Sequence, residues 1–166
     1  SRGYNSDTII IFYQNKVWIS KIEENRIGEL QALPEHLSTD YFQPHGVFSA
    51  DQKTFIYSAQ EMYDGNLDIF ISHFENGVWS MPASISPKIN TTMNEDSPFL
   101  SHDGKTLFFS SKGHNSIGGY DIYKSELVDG EWTSPENLGK PINSAGDDIY
   151  LRWNADEKTG YFSSNR

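Results

Sequence analysis

Two pairs of adjacent carboxylates, Glu95-Asp96 and Asp147-Asp148, are the residues best suited by type to acid–base chemistry. A glycosidase uses two such groups as acid and base when they are held ~5–9.5 Å apart. Neighbours in an extended strand point to opposite faces, so neither pair converges by itself. Asp51, Asp103 and Asp156 each follow a Ser-Ala, Ser-His or Asn-Ala pair at a tight turn. Such oxygens could ligate calcium, but no twelve-residue loop with a closing Glu is present, and a turn Asp ordinarily hydrogen-bonds its own backbone. Asp68 and Asp121 each open a strand candidate. Their recurrence argues for a structural role, because a catalytic group is normally unique to one unit. His36, His45, His73, His102 and His114 show no metal-site spacing and are read as surface or turn residues. There is no Gly-x-Ser-x-Gly elbow and no phosphate loop; Gly118-Gly119 reads as a flexible bend. The expectation is therefore a non-enzymatic chain with no catalytic residue, metal or cofactor.

The elements that carry these residues repeat. Between Glu95 and Pro141 lie the strand candidates Ser97–Ser101, Thr106–Ser111, Tyr120–Val128 and Glu131–Ser134. Asp129-Gly130 joins the last two, a strong hairpin signal because Gly accepts the positive φ of a primed turn. Leu107-Phe108-Phe109 is continuously apolar, which suits a strand covered on both faces. One copy earlier, Ser49–Ser58 matches Ser101–Ser110 at a spacing of 52, and Asp68-Ile69-Phe70 matches Asp121-Ile122-Tyr123 at 53. Asn76-Gly77-Val78-Trp79 matches Asp129-Gly130-Glu131-Trp132, Pro82 falls at Pro135, and Ile89-Asn90 at Ile142-Asn143. Asn154–Thr159 reopens the turn and Tyr161–Ser164 the second strand. A dozen matches in one register define an internal repeat. Four antiparallel strands per repeat, covered on both faces, describe a β-propeller blade.

The predicted organisation is all-β throughout. Residues 1–42 form a divergent partial blade, in which Ile9–Tyr13 and Val17–Ser20 are strands and Gly28-Glu29-Leu30 joins the outer strand. Residues 43–94 and 95–147 are complete blades, and 148–166 the first half of another. A closed propeller needs at least ~4 blades, so the chain is expected to be a fragment of a propeller of about six. Trp79 and Trp132 share an outer-strand position and are expected to pack; Trp153 replaces Leu100 on an inner strand and is expected in the core.

The 166 residues are 36% hydrophobic and 14% aromatic, a globular composition. A net charge of −10 and a pI near 4.8 argue against nucleic acid and anionic membrane surfaces as partners. No run approaches the ~20 apolar residues of a membrane helix, and no signal peptide is visible. Without cysteine there are no disulfides.

Ser97–Ser111 (SPFLSHDGKTLFFSS), followed by Gly119-Tyr120-Asp121-Ile122-Tyr123, resembles the TolB-type propeller repeat. Trp132–Asn143 (WTSPENLGKPIN) is similar to copies in Bacteroidetes envelope proteins that end in an OmpA-like domain, one architecture of which belongs to the type IX secretion machinery. The resemblance covers residues 43–166 well and 1–42 weakly. It departs at Gln43-Pro44-His45-Gly46, which replaces Glu95-Asp96-Ser97-Pro98, and at Gln52, which replaces Gly104. It implies a periplasmic, outer-membrane-associated scaffold whose partners are other envelope or secretion proteins, linking a secretion machine to the cell wall. Similar repeats also precede prolyl-oligopeptidase-type serine peptidase domains as substrate gates, and a glycan-binding propeller is a further alternative.

Variable loops on a repeated scaffold are where binding specificity resides. The loops 59–66 and 112–119 differ most between copies, which makes Met62, Tyr63, His114, Asn115 and Ile117 the candidate partner-binding residues. Open blade edges offer a route to self-association.

Overall fold

The computed structural model describes residues 8–13, 16–24, 26–38, 45–60, 65–154 and 158–166. These form four antiparallel sheets in chain order. The first contains β1 (Thr8–Tyr13), β2 (Lys16–Glu23), β3 (Arg26–Ile27) and β4 (Gln31–Ala32). The second contains β5 (Gly46–Phe48), β6 (Thr54–Gln60), β7 (Leu67–Glu75), β8 (Val78–Trp79) and β9 (Ala83–Ser84). The third contains β10 (Glu95–Leu100), β11 (Thr106–Ser111), β12 (Asp121–Val128), β13 (Glu131–Trp132) and β14 (Glu136–Asn137). The fourth pairs β15 (Asp148–Trp153) with β16 (Gly160–Ser164). Each complete sheet is a four-stranded meander whose outermost strand is cut in two.

That cut is where the structure departs from the simplest reading of the repeat. Both outer pieces pair with the third strand: β8 and β9 with β7, and β13 and β14 with β12. The break falls at Pro82 and Pro135, which have no N–H to give. Hydroxyls bridge it. Ser72 Oγ donates to Ser80 O at 2.8 Å while His73 N donates to Ser80 Oγ at 3.1 Å. One repeat on, Ser125 Oγ donates to Thr133 O at 2.7 Å and Glu126 N to Thr133 Oγ1 at 3.0 Å. In the first sheet, Gly28–Leu30 lies between β3 and β4 rather than in an outer strand. Gly28 N donates to Lys21 O there at 2.8 Å, one last rung of the β2–β3 register before the chain leaves it.

Other backbone gaps are closed by side chains that recur. At the first turn, Ser49 Oγ donates to Asp51 Oδ1 at 2.6 Å and Ser101 Oγ to Asp103 Oδ1 at 2.7 Å. Each carboxylate also accepts the backbone N–H two residues on, from Lys53 and Lys105. The serine hydroxyls, then these backbone bonds, hold both carboxyls below their ordinary value. The next residue is left-handed in both copies, at φ 59° for Gln52 and 72° for Gly104. Gln52 offsets the strain of that conformation by donating from Nε2 to Thr8 Oγ1 of the first sheet at 2.9 Å. Asp156 lies outside the described residues.

An asparagine after each complete sheet acts as one further strand residue. Asn143 Oδ1 accepts from Ile122 N at 2.8 Å and its Nδ2 donates to Ile122 O at 2.9 Å. Asn90 makes the same clasp on Ile69 at 2.9 Å in both directions. The crossing thereby ties itself to the middle of the sheet it has just left.

The acidic pairs sit at these crossings and, as the extended backbone requires, their members diverge. Glu95 is fully buried and accepts from Thr91 N (2.7 Å), Thr91 Oγ1 (2.9 Å) and Ser111 Oγ (2.5 Å). Asp148, one repeat on, accepts from Ser144 N (2.6 Å), Ser144 Oγ (2.8 Å) and Arg166 Nη2 (3.1 Å). Burial dominates at Glu95 and raises its carboxyl. Burial pushes Asp148 the same way, but the Ser164 and Ser144 hydrogen bonds and the Arg166 guanidinium outweigh it and leave that carboxyl lowered.

Sheets pack face to face. Tyr57, Phe55 and Phe48 of the second sheet meet Ile10 and Val17 of the first, and Val47, Ile56 and Ile69 meet Leu100, Leu107 and Phe109 of the third. The run at 107–109 is covered on both sides, because Phe108 turns the other way to meet Trp153 of the fourth sheet at 6.1 Å between centroids. Trp132 is buried and Trp79 packs on Phe48, Phe55 and Phe74.

Replacing Asn143 by Ala leaves the buried Ile122 N–H unmet, while Ile122 O keeps the Leu138 N–H at 3.1 Å. The expected cost is about 1–3 kcal/mol, seen as a lowered urea midpoint with an unchanged slope. Glu95 gives a pH-dependent prediction. Its raised folded value means that stability is fullest below the ordinary 4.5 and is lost as the pH climbs through the folded value. The wild type is therefore expected to lose stability relative to Glu95→Gln as the pH rises above the ordinary 4.5, measured by urea titration at each pH.

Candidate functional site

Most polar chemistry in this chain recurs from blade to blade and is consumed by the backbone. One polar cluster does not recur. His45 just before β5, Ser97 in β10 and Tyr150 in β15 occupy equivalent positions of three successive repeats, yet they differ in type. The His45 ring meets the Tyr150 ring edge-on at 4.7 Å between centroids, so the second sheet touches the fourth across the third. Only the inner edges of blades arranged around an axis approach one another in this way. The cluster therefore lines the inner edge of the assembly.

The backbone there is bent for the purpose. The β10–β11 and β15–β16 registers slip between Asp96 and Phe99 and between Ile149 and Arg152. At these bulges Ser97 and Tyr150 are left-handed, with φ of 56° and 62°. Pro98 is tolerated inside β10 because it falls at the bulge. Left-handed residues other than Gly are uncommon and concentrate at functional sites.

Asp96 is the hub. Its Oδ1 accepts from Ser58 Oγ at 2.6 Å and from Ser97 N at 2.6 Å, and it pairs with His45 Nδ1 at 2.9 Å. The side chains of His45 and Asp96 remain 21% and 12% exposed, enough for the imidazole edge to meet a ligand. Ser58 and its repeat equivalent Ser110 diverge here. Ile149 stands where Asp96 stood one repeat earlier and cannot accept, and the Ser110 hydroxyl is buried with no hydrogen-bond partner.

Arg152 completes the cluster. Its Nη1 donates to Leu151 O at 2.7 Å and to Ser97 O at 3.3 Å, and its guanidinium lies 5.7 Å from the Phe99 ring centroid. Burial lowers its pKa, partly countered by Tyr161, Asp96 and Tyr150. The arrangement is not a nucleophile relay. Ser58 donates to the same carboxylate oxygen as the imidazole instead of to the imidazole itself, whereas a serine triad needs the latter.

The residues predicted from loop variability are placed as follows. Met62 and Tyr63 lie outside the described residues. His114 is half-buried between Phe109 and Tyr123, and its Nε2 meets Ile89 O at 2.8 Å. Asn115 and Ile117 are exposed, the latter at 49%. Gly118-Gly119 is a close approach rather than a flexible bend. A Cβ at Gly118 would lie 2.5 Å from the Ala145 carbonyl carbon, and one at Gly119 would strike the Asp147 carboxylate. His45, expected on the surface or in a turn, is held by the Asp96 carboxylate at the inner edge. Its signal was present in the sequence, since Gln43–Gly46 and Ile149-Tyr150 are where the copies stop matching.

A second concavity of about 590 Å³ lies between the second and third sheets at the turn end. Ile56, Ile71, Leu100 and Leu127 line it, and Asp51 and Asp103 stand at its rim. Among the described residues no three His, Asp or Glu side chains gather closely enough to hold a metal ion.

No protein-family model and no curated protein sequence matches this chain. Solved structures do. TolB from Acinetobacter baumannii superposes with a TM-score of 0.64 at 14% identity, over 97% of this chain and 36% of that one. A TolB structure from Agrobacterium tumefaciens gives 0.58 at 23% identity, over 96% and 54%. The fold is a TolB-like β-propeller. Hydrazine synthase from Kuenenia stuttgartiensis shares the architecture at 0.53 and 13% identity, over 97% of this chain and 47% of that one. The propeller region described here thus spans between about a third and half of the TolB chains it resembles.

The inner edge predicts an asymmetry between equivalent serines. Ser58→Ala removes a donor from the Asp96 carboxylate and is expected to cost about 1–3 kcal/mol. Ser110→Ala removes a hydroxyl that bonds nothing and is expected to be neutral or slightly stabilising, both read from thermal unfolding.

Proposed function

We propose that this chain is a non-enzymatic interaction and scaffold module of a bacterial envelope protein. It works in the periplasm in association with the outer membrane, as part of a link between a secretion machine and the cell wall. The observation that supports this reading is the division of labour among polar residues. Those that recur, such as Asp51 and Asp103 or Asn90 and Asn143, are committed to the backbone. Those that do not recur, His45, Ser97, Tyr150 and Arg152, gather at the inner edge, and the exposed Asn115 and Ile117 lie on a loop braced by Gly118-Gly119. A rigid repeated frame carrying a small set of individual side chains suits recognition of a partner.

Affinity recovery of the tagged full-length protein from its native envelope, with cross-linking mass spectrometry, tests the proposal. Cross-links from Lys112, at the start of the 112–119 loop, to secretion or cell-wall-associated proteins are the expected result. Recovery of the protein alone, or with a serine peptidase domain encoded in the same polypeptide, overturns it.

A further inference from the structure

We infer that the inner edge holds a carboxylate-binding site built on Arg152, and that its ligand is an acidic group of a partner polypeptide. The inference rests on the interaction-module reading and names the chemistry that module recognises.

Arg152 forms no ion pair with any described carboxylate. Its hydrogen bonds use one nitrogen, Nη1, which two backbone carbonyls fix in place. The N–H groups on Nε and Nη2 are left over, and these are the edge with which a guanidinium grips a carboxylate in two parallel bonds. Arg stays charged at any ordinary pH, so burial does not silence it. The Phe99 face beneath it and the two carbonyls restrict its rotamer, lowering the entropy lost when a ligand is gripped.

His45 borders the site. Asp96 accepts from Nδ1, so the ring proton sits there and Nε2 carries a lone pair that does not donate to an anion. The Asp96 contact orients the ring. Through Tyr150 the ring is packed against the strand that carries Arg152, which brings both groups to one edge. Ser97, between them in the ring of equivalent positions, gives its carbonyl to Arg152 and its N–H to Asp96, while its hydroxyl is buried and unbonded. The unpartnered Nε–H and Nη2–H groups of Arg152, beside an Asp96 oxygen that already takes three contacts, make this edge receptive to an anion. Yet the chain as a whole carries −10, which disfavours anions that lack specific contacts. A ligand must therefore be recognised by geometry, and Arg152 offers the planar fork that a carboxylate matches.

The test is titration of the ¹⁵N-labelled protein with two probes, following the Arg152 Nε–H and His45 ring resonances. N-acetyl-glutamate amide presents a side-chain carboxylate and N-acetyl-alanine a chain-end carboxylate. Saturable shifts at both residues are expected with at least one probe, and the probe that binds more tightly identifies the source. Arg152→Gln is expected to weaken binding about tenfold or more, while Arg152→Lys, which keeps the charge and loses the fork, weakens it less. Should Arg152→Gln fold poorly, Arg152→Lys decides, because it keeps the charge and still loses the fork. Absence of saturable shifts at Arg152 in the wild type, or equal affinity in the folded variants, overturns the inference. The two proposals fail separately. A partner still cross-linked to the Arg152→Gln protein at wild-type yield removes the carboxylate site and leaves the scaffold. Probe binding without any partner removes the scaffold and leaves the site.

Discussion

Every blade must satisfy backbone N–H and C=O groups at the places where its strands stop running side by side, and the rest of this structure depends on how that is done. Buried peptide groups without partners cost more than most contacts return. The chain solves the problem with short polar side chains at fixed places in the repeat. Asn90 and Asn143 imitate a strand, Ser and Thr hydroxyls span the cut outer strand, and Asp51 and Asp103 hold the first turn. Glu95 and Asp148 gather loose donors at the crossings. These groups specify geometry; the apolar faces between sheets provide the driving force.

Because the backbone takes up so many polar residues, the ones it does not need stand out. Glu95 and Asp148 hold one place in the repeat with opposite electrostatic outcomes, since burial prevails at the first, whereas the Ser164 and Ser144 hydrogen bonds, with Arg166, outweigh it at the second. Ser58 and Ser110 likewise share a place and differ in whether the next blade offers an acceptor. A repeat can thus keep its fold while each copy drifts where copies face the axis.

The fold was legible because its signals are local and recur. Asp129-Gly130 does form a turn with both residues left-handed, at φ 52° and 83°, and Thr106–Ser111 is a strand at the bounds its pattern suggests. The inner-edge cluster was less legible for physical reasons. Contact between His45 and Tyr150 joins blades two repeats apart, and no periodicity within a strand encodes it. Left-handed Ser97 and Tyr150 run against the preferences of their residue types, so their identities do not announce the bulges at which they sit. Gly118-Gly119 looked like looseness because a sequence does not reveal what the missing Cβ makes room for, here Ala145 and Asp147. The roles of Asn90 and Asn143 were visible as a repeat but not as a clasp, since a side chain that substitutes for backbone leaves no hydrophobic signature.

The cut outer strand has a consequence for the protein in a crowded compartment. A long, flat outer strand would present an unbroken row of amide groups, the template on which foreign strands accrete into aggregates. Here the rim of each complete blade consists of two-residue stubs separated by a proline, with hydroxyls already occupying the gap. Neither stub is long enough to seed a growing ladder. The prolines at the rim thereby guard solubility, a task separate from anything the axis recognises.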